Sequence, residues 1–207
     1  MKQDQEAVCG VILAGGQSRR MGRRKELLTW NEGTMIEHLV ESITSLAIPC
    51  LVVTNEPDLL PDTVCHHPDV QVNPDEVQPC GPLGGIITAF RKRREGKLLL
   101  LSCDLPFVDR EELERFFTYQ SSIKQWDAIL AQSDGKIHPL FGFYHRRTQP
   151  AWEHAYEQSQ YRLMDTINKL AVHFLPAGLL GTWATFNANT PDEYTAALAE
   201  WRRRHGQ

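Results

Sequence analysis

A short apolar run, Val8 to Leu13, breaks abruptly into Ala14-Gly15-Gly16 and then into a basic turn, Gln17-Ser18-Arg19-Arg20-Met21-Gly22, with Lys25 closing the stretch. Six mostly apolar residues suit one buried strand. A buried strand feeding a glycine turn is how α/β folds bring backbone amides up to a phosphate. Gly15 and Gly16 lack a Cβ, so the chain can approach a ligand closely there. Arg19, Arg20 and Lys25 supply the positive charge that a polyphosphate requires. The P-loop is excluded because no Gly-Lys-Ser/Thr follows Gly16 or Gly22, and the dinucleotide fingerprint because Gly15, Gly16 and Gly22 do not fit G-x-G-x-x-G. The stretch is therefore either a third kind of phosphate loop or an ordinary strand-to-helix turn carrying surface arginines. The density of cations favours the loop.

The rest of the chain alternates strands with helices. Thr34 to Ala47 has apolar residues at helical spacing, with Thr34 and Glu37 placed for a capping box. Cys50 to Thr54 reads as a strand, and Asn55 to Pro61 as a turn. Val64 to His66 and Val70 to Val72 read as short extended pieces. A helix is expected from Gly81-Pro82-Leu83-Gly84-Gly85 to about Arg94, with proline at its first position. Lys97 to Leu101 is continuously apolar after its first residue, the pattern of a strand covered on both faces. Asp109 is placed to cap a helix running to Tyr119. Asp127 to Gln132 and His138 to Tyr144 read as strands joined by the turn Ser133-Asp134-Gly135-Lys136. Helices follow at about Arg147–Gln158 and Arg162–Leu170. A strand is expected at Val172–Leu175, an edge segment at Trp183–Phe186, and a last helix from Pro191 to about Arg203 capped by Thr190. This order predicts a three-layer, doubly wound, mostly parallel α/β sheet in one domain covering residues 1–207. In such sheets ligands sit beyond the carboxyl ends of the strands, where Gly15, Gly16 and Asp104 all fall.

Bulk properties narrow the function. The formal net charge of −4 argues against nucleic-acid binding, and the basic residues cluster locally. The five cysteines include no C-x-x-C pair, so neither a zinc site nor a disulfide framework is indicated, and a cytoplasmic location is expected. No signal peptide or run long enough for a membrane helix is read.

Asp104, at the mouth of the Lys97–Leu101 strand, either holds Mg²⁺ or caps the turn before Pro106. Mg²⁺ takes one or two carboxylates plus substrate phosphates, and pairing with the cationic glycine loop favours the metal. The Gly81 segment either offers free helix amides to a flat base or simply starts a helix. Asp75 just before it is placed to accept hydrogen bonds from a base or ribose, although most loop aspartates do nothing of the kind. Asn187 and Asn189 either grip a ligand or serve as turn and cap residues. His138 reads by default as structural, and Arg91–Arg94 and Arg202–Arg204 as solvated faces.

Taken together, these segments resemble a known family. L-A-G-G-Q-S-R-R-M-G-R-R-K (Leu13 to Lys25) is similar to the L-A-G-G-x-S-x-R-M-G-x-x-K pattern of nucleotidyltransferases. G-P-L-G-G at Gly81, C-D-L-P at Cys103, H-P-L at His138 and N-A-N-T-P-D-E at Asn187 follow in the order of the molybdenum cofactor guanylyltransferases. The resemblance implies transfer of GMP from GTP to the molybdopterin-bound molybdenum cofactor, with release of pyrophosphate. It implies that Leu13, Ala14, Gly15, Gly16, Lys25, Asp75 and Asp104 contact GTP, that Asp104 holds Mg²⁺, and that Arg20 aids the phosphates. Arg162, Asn187 and Asn189 would face the pterin. Arg20, Lys25 and Asp104 are thus the expected catalytic residues. Molybdoenzymes or other cofactor-biosynthesis proteins are the implied partners. Two positions depart from the pattern: Arg24 stands where the family commonly has Asp, and Glu26 where a small residue is usual. The alternatives are a sister enzyme using CTP or a sugar-phosphate acceptor, and a nucleotide-binding regulatory protein without catalysis.

Overall fold

The computed structural model describes residues 7–15, 21–78 and 80–206. The chain opens with β1 (Val8–Leu13), followed by a 3₁₀ turn at Lys25–Leu27 and a small hairpin, β2 (Thr29–Trp30) and β3 (Gly33–Thr34). Next come α1 (Met35–Thr44), β4 (Cys50–Val53), α2 (Asp62–Cys65), β5 (Val70–Asn73), α3 (Pro82–Lys92) and β6 (Lys97–Ser102). The remainder is α4 (Arg110–Ser122), β7 (Ala128–Ser133), β8 (Lys136–His145), α5 (Gln149–Glu157), α6 (Leu163–Ile167), β9 (Val172–Phe174) and α7 (Pro191–His205).

Seven strands form one sheet in the order β5-β4-β1-β6-β8-β7-β9. β8 runs antiparallel to both its neighbours, and the other pairings are parallel. The expected mostly parallel α/β architecture is therefore the observed one. The chain builds outward from β1 through β4 to β5, then crosses back to lay β6 on the other side of β1. The carboxyl ends of β1 and β6, paired at Leu13 and Ser102, lie at that reversal. This is the crevice where doubly wound sheets bind ligands.

Each face of the sheet is covered. On one, Ile12, Leu99, Leu101 and Phe143 pack with Ile36, Leu39 and Ile43 of α1 and with Leu113 and Phe116 of α4. On the other, Val11, Leu98 and Leu100 pack with Ile86, Ile87 and Phe90 of α3 and Trp152 of α5. Leu98 to Leu101 are wholly buried, and burying each leucine contributes roughly 1.5–3 kcal/mol. The helix starts follow their caps. Thr34 and Glu37 form the expected capping box, with Thr34 N donating to Glu37 Oε2 at 2.8 Å. Asp109 Oδ1 accepts from Glu112 N at 2.9 Å at the head of α4.

A third cluster ties the hairpin to α7. Trp30 meets Phe107 edge-on with centroids 5.4 Å apart and Trp201 at 6.2 Å, and Phe107 packs against Trp183 at 5.2 Å. Met21 and Leu28, which flank Lys25, join the same cluster.

Two local expectations are corrected. Val64 to His66 is not extended. Val64 N and Cys65 N both donate to Pro61 O, and Val64 is buried inside the short helix α2. Trp183 to Phe186 is a turn, with Ala184 N bonded to Gly181 O and Phe186 N to Trp183 O. Its aromatic residues serve the third cluster rather than a sheet edge. The β2–β3 hairpin was not anticipated. The expected helix Arg162–Leu170 is shorter, and its last residues turn toward β9. Arg93 is not simply solvated: its guanidinium pairs with Glu95 and donates to Gln71 Oε1 at 3.2 Å. Arg204 lies over the Phe107 ring, 4.9 Å from its centroid. All five cysteines are free thiols. No described helix is long and apolar enough to cross a membrane.

Candidate active site

Ser102 ends β6, and the next two residues turn so that Asp104 is buried, 7% exposed, at the carboxyl edge of the sheet. Cys103 N donates to Leu13 O at 3.3 Å, which keeps the Asp104 turn against the end of β1. Lys25 Nζ donates to Asp104 Oδ2 at 3.2 Å, and Asn187 Nδ2 donates to Oδ1 at 2.8 Å. Lys25 Nζ also donates to Asn189 Oδ1. The asparagine segment is held by its backbone: Ala188 N donates to Asp104 O at 3.0 Å, and Asn189 N to Glu193 Oε2 at 2.9 Å. Glu193 N in turn donates to Thr190 Oγ1 at 3.2 Å, so the cap of α7 is also the mount for Asn189. Four of the expected site residues, Lys25, Asp104, Asn187 and Asn189, thus form one hydrogen-bonded group.

On one side of this group lies a cavity of about 320 Å³. Its wall includes Leu13, Ala14, Gly15, Asp75, Gly81 and Gly85, so four of the expected nucleotide residues share one pocket, whereas Lys25 and Asp104 are not in its wall. Gly81 takes φ +69° at the head of α3, a conformation that favours glycine. A Cβ on Gly85 would come within 2.8 Å of Leu13 Cδ2, so the glycine lets α3 sit against β1. Asp75 is fixed by Asn55, whose Oδ1 accepts from Asp75 N at 3.0 Å and whose Nδ2 donates to Asp75 Oδ2 at 3.3 Å. Asp75 Oδ1 is buried with no hydrogen-bond partner among the described residues. Burial pushes the Asp75 carboxyl above its ordinary range, against the opposing influence of Asn55 and the Thr88 hydroxyl.

A second cavity, of about 250 Å³, lies beside the first, and Ser102 and Leu140 belong to both walls. Asp104, Asn187, Asn189, Lys136 and His138 line it. Sequence reasoning did not single out Lys136 or Asn55. His138, expected to be structural, is buried and also faces a cavity.

Gly16, Arg19 and Arg20 lie outside the described residues. Arg162 is an exposed residue at the head of α6, with no hydrogen bond to Asn187 or Asn189 among the described residues. Arg24 donates to Glu26 Oε1 at 3.4 Å and pairs with Glu56. The departures at Arg24 and Glu26 therefore engage each other and the loop after β4, and Lys25 remains free to reach Asp104.

A family profile described as the MobA-like NTP transferase domain matches residues 10–172. The chain belongs to that family. The nucleotidyltransferase is 30% identical over 192 residues to a protein of Bacillus subtilis strain 168 named probable molybdenum cofactor guanylyltransferase, covering 89% of this chain and 92% of that one. A protein of the same name from Carboxydothermus hydrogenoformans is 31% identical over 193 residues, covering 91% and 93%. Among solved structures, molybdopterin-guanine dinucleotide biosynthesis protein A from Archaeoglobus fulgidus superposes on the transferase with a TM-score of 0.78 at 23% identity, over 94% of this chain and 99% of that one. A nucleotidyl transferase from Methanothermobacter superposes with a TM-score of 0.74 at 17% identity, covering 96% and 99%. These two likenesses show that the transferase shares their fold.

Proposed function

We propose that this nucleotidyltransferase moves GMP from GTP to a terminal phosphate of the molybdopterin-bound molybdenum cofactor, yielding the guanine dinucleotide cofactor and pyrophosphate. One observation carries the reading: Asp104, hydrogen-bonded to Lys25, lines a cavity that shares Ser102 and Leu140 with the neighbouring one. Two anionic substrates held in those cavities would meet beside the Asp104–Lys25 pair. The names of the relatives, probable molybdenum cofactor guanylyltransferases, supply the identity of the acceptor.

The cavity bounded by Leu13, Gly15, Asp75 and Gly81 suits the nucleotide in size, since small-molecule sites start at about 300 Å³. The unpartnered Oδ1 of Asp75 favours guanine. A carboxylate accepts the N1–H and exocyclic amine hydrogens on the pairing edge of guanine, whereas adenine and cytosine present a bare ring acceptor there. The reaction is an in-line displacement at the α-phosphorus. A phosphate oxygen of the acceptor forms the new P–O bond while the bond to the bridging oxygen of pyrophosphate breaks. The attacking phosphate is already anionic, so positioning and charge neutralisation matter more than a general base. Lys25 brings an ammonium to the junction. Asn187 orients the Asp104 carboxylate, and Asn189 holds Lys25 in place.

The donor set fits Mg²⁺. Asp104 is a single hard carboxylate in a cavity wall, and Mg²⁺ characteristically takes one or two carboxylates with the remainder from water and substrate phosphate. Its Oδ2 is bonded to a lysine that a triphosphate would compete for. When bound, the ion supplies charge neutralisation to the polyphosphate. Gly16 and Arg20 complete the expected phosphate contacts, and a pterin contact by Arg162 belongs to the same reading.

The test is direct. Purified protein is incubated with Mg²⁺, the molybdopterin cofactor and GTP, CTP or ATP in turn, and pyrophosphate and the dinucleotide product are quantified. Pyrophosphate from GTP alone, dependent on the pterin acceptor, is expected. Preference for CTP, or turnover only with a sugar phosphate, would replace the reading with a sister reaction. Tight GTP binding without turnover would leave a binding protein.

A further inference from the structure

We propose that Lys136 and His138 form the subsite for the terminal phosphate of the acceptor, Lys136 through its charge and His138 through a neutral hydrogen bond. The inference rests on the transferase reading above and names residues which that reading does not use.

The argument starts from electrostatics. An acceptor phosphate entering the 250 Å³ cavity must come close to the Asp104 carboxylate, which repels it. Lys25 is already engaged by Asp104 and Asn189. A further cation in the wall of that cavity would offset the repulsion at the terminal phosphate. Lys136 lines that cavity, is exposed, and makes no ion pair among the described residues. A surface lysine without a partner is ordinarily just solvated. What sets Lys136 apart is the backbone that presents it. Asp134 at φ +49° and Gly135 at φ +72° make a tight hairpin turn, so Lys136 begins β8 opposite Ser133. Strand alternation then puts Lys136 and His138 on the same face. Beyond His138 the ladder slips: Ala131 pairs with His138 but Leu130 with Gly142, leaving Pro139 to Phe141 bulged from β7. Such bulges re-aim side chains and are common beside active sites. Here the bulged residues form the cavity wall next to both side chains.

The His138 ring is held by a relay. Thr185 Oγ1 donates to Ser133 Oγ at 2.9 Å, and Ser133 Oγ lies 2.8 Å from His138 Nε2. The Ser133 hydroxyl thus ties down Nε2, and Nδ1 is the ring nitrogen without a hydrogen-bond partner among the described residues. Burial lowers the pKa of His138, with Lys136 adding to the effect and Asp104 opposing it, which keeps the ring neutral near pH 7. A neutral donor and a lysine together match a phosphate without adding a second fixed charge to the wall.

Lys136→Glu, Lys136→Arg and His138→Gln are compared with wild type. Steady-state KM is measured separately for acceptor and GTP, acceptor binding is measured by calorimetry without turnover, and Tm reports the fold. Lys136→Glu should raise the acceptor KM and Kd by about 10- to 100-fold, the range for losing a charge-assisted contact and adding a repulsive one. GTP KM should move by less than about 2-fold, and Lys136→Arg should restore most of the acceptor affinity, because the charge is what matters. His138→Gln should raise the acceptor KM more than the GTP KM. An unchanged acceptor Kd in Lys136→Glu, or an equal rise in both KM values, overturns the subsite while leaving the transferase reading intact. A wild-type protein that binds GTP but neither binds nor uses the acceptor overturns the transferase reading, and the subsite falls with it.

Discussion

Replacing Asp104 with Asn changes one atom's chemistry at the centre of the site, and the structure allows both consequences to be worked out. In wild type, Oδ1 accepts from Asn187 at 2.8 Å and Oδ2 from Lys25 at 3.2 Å. An asparagine can keep the first bond through its carbonyl oxygen. Its amide nitrogen would then face the Lys25 ammonium, donor against donor. At 3.2 Å two unit charges at an effective dielectric of 20 attract by about 5 kcal/mol, most of it offset by the desolvation of both groups. The net value of a hydrogen bond to a charged group is about 1.5–3 kcal/mol. Lys25 keeps its bond to Asn189, which sets the loss at the lower end of that range. For a chain of this size, roughly 2–4 °C of Tm accompanies each kcal/mol, so a drop of about 3–6 °C is expected. Activity should fall far more, by roughly 10³-fold or beyond, if the carboxylate holds the Mg²⁺ that neutralises the negative charge developing in transfer. Calorimetry with GTP in the presence of EDTA checks that the nucleotide cavity survives, and pyrophosphate release with Mg²⁺ measures turnover. A folded Asp104→Asn protein with near-normal Mg²⁺-dependent turnover would refute the role given to this carboxylate.

Other perturbations separate the site from its scaffold. Gly85→Ala places a methyl 2.8 Å from Leu13 Cδ2, and the leucine can yield only by moving in the wall of the nucleotide cavity. Its GTP KM should rise while Tm shifts little, and calorimetry with GTP reads this. Gly142→Ala instead drives a Cβ to 2.7 Å from the backbone oxygen of Ile129, so it should cost about 1–3 kcal/mol of stability, the usual range for overpacking, and lower Tm with KM values unchanged. Burial lowers the pKa of both His38, whose Nε2 is buried, and His138. A base depressed by folding binds fewer protons folded than unfolded. Stability is therefore complete above the unfolded imidazole pKa of about 6.5 and declines as pH falls below it. Urea unfolding from pH 7.5 to 5 should show this slope, reduced in His38→Gln; a flat wild-type profile would contradict it.

How much of this was open to a reader of the chain follows from the range of each interaction. The caps of α1, α4 and α7 join residues three apart, and each was legible as a local pattern at Thr34, Asp109 and Thr190. The β7–β8 turn was legible for the same reason, because Asp134 and Gly135 are residues that tolerate positive φ. Val64 misled because a short apolar piece has no period, and its burial beside α1 decided for helix. Trp183 and Phe186 read as a strand edge because aromatic residues favour strands. Their real partner is Phe107, some eighty positions away.

The site itself is assembled entirely from distant pairs. Lys25 and Asp104 are 79 positions apart, Asp104 and Asn187 are 83, and Lys25 and Asn189 are 164. No spacing rule reaches that far; those residues were legible as separate candidates at strand ends and turns, and the resemblance to a family pattern gave them a common reaction without giving contacts. Lys136 shows what that route omits. It lies outside every quoted motif, in a turn whose composition says only that the chain reverses. Its proximity to Asp104 depends on β8 being inserted antiparallel between β6 and β7, a choice of strand order made by packing rather than by local sequence. A cation that a motif does not mark becomes visible only when the sheet shows which strand ends share a cavity. For the same reason the substitution at Lys136 tests the arrangement of the fold as well as the charge of one side chain: in a sheet ordered otherwise, the variant would have no reason to discriminate between acceptor and GTP.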